Sequence, residues 1–106
     1  MQIVIPMSGF GERFRRAGYT VPKPLIEVDG KPIIAHVLDM FPGETDVVFI
    51  CNREHLSSTA MAEVLNHHCP TGKIIGIEPH KHGPVYAVSQ AIETIDENRP
   101  TIVNYC

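Results

Sequence analysis

Four short apolar runs recur along the chain: QIVIP (2–6), DVVFIC (46–51), KIIGIE (73–78) and TIVNY (101–105). They are rich in Val and Ile and do not alternate with polar residues, the pattern of strands covered on both faces of a parallel sheet. The segments between them change period. KPIIAHVLDMF sets Ile33, Ile34, Val37, Leu38 and Phe41 on one face of a helix, with Pro32 suited to its first turn. EHLSSTAMAEVLNHH predicts a second helix with Leu56, Ala60, Met61, Val64 and Leu65 on its apolar face. GPVYAVSQAIETI predicts a third, again opening on a proline, with Val85, Val88, Ile92 and Ile95 in line. Strand and helix in alternation predict the α/β class: a three-layer, open, mostly parallel sheet with right-handed crossovers, Rossmann-like in outline.

Two features depart from a simple Rossmann pattern. A long insertion, residues 7 to 31, separates the first strand from the first helix and contains VPKPLIEVDGKP. The chain also stops at Cys106, on the last residues of a strand expected to be buried, an odd place for a parallel sheet to finish. Residues 1–106 therefore read as the N-terminal part of a larger domain. An unfinished final strand offers an edge through which two copies can associate.

With 106 residues there is room for one small domain. An apolar fraction of 43% and a charged fraction of 20% are those of a globular protein and exclude wholesale disorder. A net charge of −3 gives no electrostatic case for nucleic-acid binding, so any anion must be held by a local arrangement. Cys51, Cys69 and Cys106 form no CxxC pair and fit a reducing compartment. MQIVIPM lacks the basic start and long apolar core of a signal peptide, and no run is long enough to span a bilayer. The cytoplasm is the expected location.

A candidate anion site follows the first strand, in IVIPMSGFGERF (3–14). Ligands of open α/β sheets collect outside the carboxyl ends of the strands where strand order reverses. Gly9 and Gly11 are expected to bend the backbone through positive φ and to let an anion approach the amides. Arg13 offers a planar fork for phosphate oxygens. Phe14 occupies the third glycine's place in the dinucleotide fingerprint, and the Gly-Lys-Ser/Thr ending of a P-loop is missing. Alone, the motif reads equally as a strand-end turn with a solvated arginine. The second element, VPKPLIEVDGKPII, changes that balance: Lys23 stands between Pro22 and Pro24, on a backbone expected to be stiff and extended.

Taken together, Ser8-Gly9-Phe10-Gly11-Glu12-Arg13, Pro22-Lys23-Pro24-Leu25 and Val28-Asp29-Gly30-Lys31-Pro32-Ile33 resemble the N-terminal signature of the sugar-1-phosphate nucleotidyltransferases, a Rossmann-like, glycosyltransferase A-like fold. PMSGFGERFRRAGYTVPKPLIEVDGKPII is most similar to the branch that activates sugars for capsule and lipopolysaccharide assembly. The likeness is specific across residues 4 to 34 and covers the rest of the chain only in element order. It implies that the loop from Met7 to Glu12, with Gly9 and Gly11 at its bends, wraps the nucleotide phosphates. Arg13 is implied to contact the outer phosphates, and Lys23 those at the reacting centre. It further implies that Glu78 and Gly83, in IEPHKHGPVYAV, contact the base. Relatives carry glutamine at the first of these; a carboxylate can only accept, and would favour a base edge that donates. A role for Glu78 as a loop cap stays open beside this.

The implied reaction is attack by a sugar 1-phosphate oxygen on the α-phosphate of a nucleoside triphosphate, releasing pyrophosphate. Such transfers depend on positioning and charge stabilisation. Lys23 would offset charge on the α-phosphate while the loop amides and Arg13 hold the leaving group. A Mg²⁺ is expected to bridge the phosphates. The family's first metal-binding aspartate falls one residue past Cys106, and Asp29, Asp39, Asp46 and Asp96 match no such position. The expected partners are a nucleoside triphosphate and a sugar 1-phosphate. Two other readings stand: a glycosyltransferase consuming a nucleotide sugar, which would not require the PKPL lysine, and a fragment that binds nucleotide or itself without turnover.

Other constellations are weaker. NHHCP (66–70) and HKH (80–82) carry zinc-type ligands, but neighbours on a helix diverge, and basic side chains near a helix C-terminus serve as caps. No metal is assigned there; His80 and His82 are placed at the border of the nucleotide groove. Arg15 and Arg16 add charge beside Arg13, Tyr19 lies against the ligand or pins the loop, and Cys51 reads as core packing.

Overall fold

The first apolar run folds as β1 (Gln2–Met7), every residue of it buried. A computed structural model of the chain describes residues 1–9, 16–18, 21–78, 84–91 and 101–104, without the side chains of residues 84 and 85. After β1 come a single 3₁₀ turn (Lys23–Leu25), a hairpin of β2 (Glu27–Val28) and β3 (Lys31–Pro32), and helix α1 (Ile33–Leu38). Then follow β4 (Val47–Asn52), α2 (Arg53–Ser58), α3 (Met61–His68), β5 (Lys73–Ile77), α4 (Pro84–Gln90) and β6 (Thr101–Val103).

The main sheet runs β5-β4-β1-β6. All three pairings are parallel, with Met7 opposite Cys51, Asn52 opposite Ile77 and Gln2 opposite Thr101. Period-two alternation sorts the central strands into two apolar layers. On one face Ile3, Ile5, Met7, Val47, Phe49 and Cys51 pack with Ile34 of α1 and with Met61 and Leu65 of α3. On the other, Val4, Val48, Ile50 and Ile77 pack with Ala87 of α4 and Ala91 beyond it. Helices on both faces make the three-layer α/β architecture that the alternation of periods predicts. Cys51 is a core residue, as expected.

Several expectations need correction. Covering on both faces holds for β1 and β4 only. β5 is half-exposed over most of its length, and all three residues of β6 are exposed, because both strands are edges among the described residues. The helix expected over 54–68 is two helices. Ser58 and Thr59 turn their hydroxyls back to the carbonyls of Glu54 and His55, and Thr59 adopts an extended φ of −132°. Its Oγ1 then accepts the Met61 amide at 3.2 Å, at the first residue of the next helix. The break keeps Leu56 against the same layer as Met61 and Leu65 but leaves Ala60 exposed. Pro32 precedes the first turn of α1 as its N-cap instead of lying within it. The positions of Ile92 and Ile95, and the side chain of Val85, lie outside what is described.

The long insertion has structure of its own. Asp29 and Gly30 have φ of 51° and 82°, the backbone of a two-residue hairpin turn. The hairpin is tied to α1 by the Lys31–Asp39 ion pair and by His36 Nε2, 2.6 Å from the Val28 carbonyl. Ile33 also donates its amide to Ile26 at 2.9 Å.

Candidate nucleotide site at the carboxyl edge of the sheet

The chain leaves β1 for β4, moves outward to β5, and then returns to the opposite side of β1 with β6. Strand order therefore reverses between β1 and β6, and the mouth outside their carboxyl ends is where such sheets take ligands. Met7, Ser8 and Gly9 leave β1 into this mouth. Asn52 and Arg53 close β4, and Glu78 follows β5.

Met7 is buried in the core, opposite Cys51 at the end of β1. Ser8 is buried too, at 2% exposure. Gly9 is exposed, and a Cβ built on it would meet no described atom within 4 Å. The expected positive φ is not found: among the described glycines it belongs to Gly18, Gly30 and Gly43. Gly9 leaves the strand without a left-handed bend, and its contribution is the missing side chain. Phe10, Gly11, Glu12, Arg13 and Gly83 lie outside the described residues, as do Arg15, Tyr19, His80 and His82.

Lys23 is half-buried and is not extended. The Pro22 carbonyl accepts from Leu25 at 2.9 Å and the Lys23 carbonyl from Ile26 at 3.1 Å, which closes a 3₁₀ turn around it. Pro24 occupies a first-turn position where no amide hydrogen is needed, and is buried. The lysine backbone is therefore held by a hydrogen-bonded turn. Leu25 of that turn packs on the layer containing Met7 and Cys51, the last apolar residues of β1 and β4.

Glu78 is paired with the Arg53 guanidinium, which donates from Nη1 to Oε1. A Cβ on Gly76 would lie 3.1 Å from Arg53 Cγ and 3.1 Å from Leu56 Cδ1, so the arginine stem crosses β5 over that glycine. The pairing leaves both readings of Glu78 in place and adds a partner: the carboxylate meets the first residue of α2, just past the end of β4. Both side chains remain largely exposed, at 63% and 76%, and such a pair contributes little to stability. Arg53 and Asn52 went unnoticed in the sequence. The signal was the Asn-Arg directly after DVVFIC, polar residues at a carboxyl strand end.

The described carboxylates do not fit a Mg²⁺ at this mouth. Glu78 is neutralised by Arg53, Asp39 is paired with Lys31, Asp29 sits in the hairpin turn, and Asp46 precedes β4 at the opposite end of the sheet. No group of three metal-type ligands stands together among the described residues; the rings of His67 and His68 meet edge to face at 4.9 Å. A cleft of about 250 Å³ lies at the far pole, between the ends of α1 and α3, lined by Leu38, Phe41, Val47 and His68 among others. It belongs to the amino ends of the strands. No helix among the described residues is long and apolar enough to cross a membrane.

Comparison with known proteins agrees with this architecture. The chain is 30% identical over 109 aligned positions to the "Bifunctional protein GlmU" of Cupriavidus pinatubonensis, and 29% identical to those of Burkholderia mallei and Burkholderia thailandensis. Each alignment covers 99% of this chain and 22% of the relative, so the chain spans about a fifth of the length of these proteins. The family described as "MobA-like NTP transferase domain" matches residues 3–106, and the chain belongs to that family.

Proposed function

We propose that this chain supplies the nucleoside-triphosphate site for nucleotidyl transfer to a sugar 1-phosphate, as in the branch that activates sugars for surface polysaccharides. The observation that supports the reading is the reversal of strand order at β1, with Ser8 and the exposed Gly9 directly after that strand. The triphosphate lies along the loop that begins at Ser8. Lys23 offsets charge at the α-phosphate, where the sugar 1-phosphate oxygen attacks and the bond to pyrophosphate breaks. Arg13 holds the leaving pyrophosphate. Positioning and electrostatic stabilisation are the contributions such a transfer requires of a protein. Mg²⁺ belongs to this reaction class, and the described carboxylates do not form a site for it. Cys51 and Cys69, buried and outside any disulfide, suit the cytoplasm, where nucleoside triphosphates are found.

Thermal unfolding with each of the four common nucleoside triphosphates tests the site. At a hundredfold excess over Kd, binding stabilises by about 2.7 kcal/mol, which raises Tm by on the order of 10 °C in a domain of this size. Lys23→Ala removes one charge-assisted hydrogen bond and is expected to weaken binding by roughly 10- to 100-fold without lowering the unliganded Tm. Pyrophosphate release with sugar 1-phosphates then tests the transfer. No stabilisation by any nucleotide contradicts the reading.

A further inference from the structure

Asn52 is the last residue of β4 and is completely buried. Val48 and Ile50 face α4, so alternation places Asn52 on that same face. It stands opposite Ile77 of β5, and on its other side β1 runs out at Met7 and Ser8. One end of its amide is committed: Oδ1 accepts the Glu54 amide at 2.8 Å and caps α2. That contact fixes which end is which, because an NH₂ group turned toward a backbone N–H has nothing to offer it. Nδ2 is left buried with no hydrogen-bond partner among the described residues.

A buried donor without an acceptor costs about 1–3 kcal/mol, and nearly all buried polar groups avoid it. The cap does not require this, since Ser and Asp cap as well as Asn and bring no amide donor. Resting on the function proposed above, we infer that Asn52 is a nucleotide-positioning residue. Its Nδ2 donates, directly or through one ordered water, to a neutral acceptor oxygen of the nucleoside, a base carbonyl or a ribose hydroxyl. The nucleoside is favoured over the phosphates because Asn52 lies on the α4 face of the sheet, whereas the Lys23 turn packs on the other. A neutral amide also suits a neutral oxygen.

The test compares binding of the best nucleoside triphosphate with binding of inorganic tripolyphosphate, which has the charge and no nucleoside. Asn52→Ser keeps a neutral cap and withdraws the amide; Asn52→Asp keeps shape and cap and replaces the donor with an acceptor. Both are expected to lose roughly tenfold in nucleotide affinity, Asn52→Ser with no fall in unliganded Tm and Asn52→Asp with a fall from its buried carboxylate, and Asn52→Ser is expected to bind tripolyphosphate as the unaltered chain does. Nucleotide affinity unchanged in both variants overturns the inference, as does an equal loss for tripolyphosphate in Asn52→Ser, or a lower unliganded Tm with affinity intact. If the unaltered chain binds tripolyphosphate but no nucleotide, this inference fails while the phosphate site stands. If it binds neither, the proposed function fails and takes the inference with it.

Discussion

Lys23 and Asp39 show how single residues obtain their chemistry from neighbours. The backbone of Lys23 is held in a turn closed by two hydrogen bonds, which fixes where its side chain begins. Asp39 is held below its ordinary value of 3.8, first by the hydrogen bond from Lys31 and then by nearby positive charge. With a folded pKa below the unfolded one, its pairing favours the fold above the unfolded value and stops doing so as pH falls through the folded one. The carboxylate is exposed, so the effect on stability is small. Titration followed by NMR at the Asp39 carboxyl carbon is expected to show a midpoint below 3.8, moving upward in Lys31→Ala. A midpoint unaffected by Lys31→Ala would mean that the pair does not form in solution.

At the scale of elements, the hairpin of β2 and β3 is the scaffold for the lysine turn. It is only two residue pairs long and depends on its turn and on α1 for its shape. Gly30 at φ 82° is its tightest point. A β-carbon in that region costs about 1–2 kcal/mol, so Gly30→Ala is expected to lower Tm by roughly 5–15 °C. Because Ile26 and Ile33 join the turn to the hairpin, the same change should weaken nucleotide binding beyond its effect on stability. A calorimetric Tm equal to that of the unaltered chain would show that the hairpin is not locked as described. The Asp-Gly pair is a hairpin-turn signal that the sequence carries openly, whereas the prolines beside Lys23 suggested an extended backbone where a 3₁₀ turn is found. The α2–α3 break was hidden for a related reason. Leu56, Met61 and Leu65 keep helical spacing across it, and only the hydroxyls of Ser58 and Thr59 betray that the backbone stops and restarts.

Across the whole molecule, the sheet was readable because Val- and Ile-rich runs have one physical use in an alternating α/β chain. β1 and β4 behave as read, and the burial of β5 and β6 was overestimated because hydrophobic composition does not say which strands are edges. The site was half legible. Short motifs pick out Ser8, Gly9 and Lys23, but Asn52 and Arg53 reach the same edge only through the parallel register of β1, β4 and β5. No spacing along the chain encodes that convergence. Ser8 and Gly9 follow β1, Asn52 ends β4 and Arg53 follows it, all at the carboxyl edge, while the 250 Å³ cleft lies at the other pole.

The most direct test is therefore one of place. An amide-correlation NMR spectrum recorded while a nucleoside triphosphate is added should show shifts at Ser8, Gly9, Lys23 and Asn52, with Phe41, Glu44 and Cys69 at the far pole unmoved. Shifts confined to the far cleft, or a Lys23 amide that stays still while Ser8 and Gly9 move, would contradict the claim that the loop after β1 and the proline-flanked lysine hold the same phosphates.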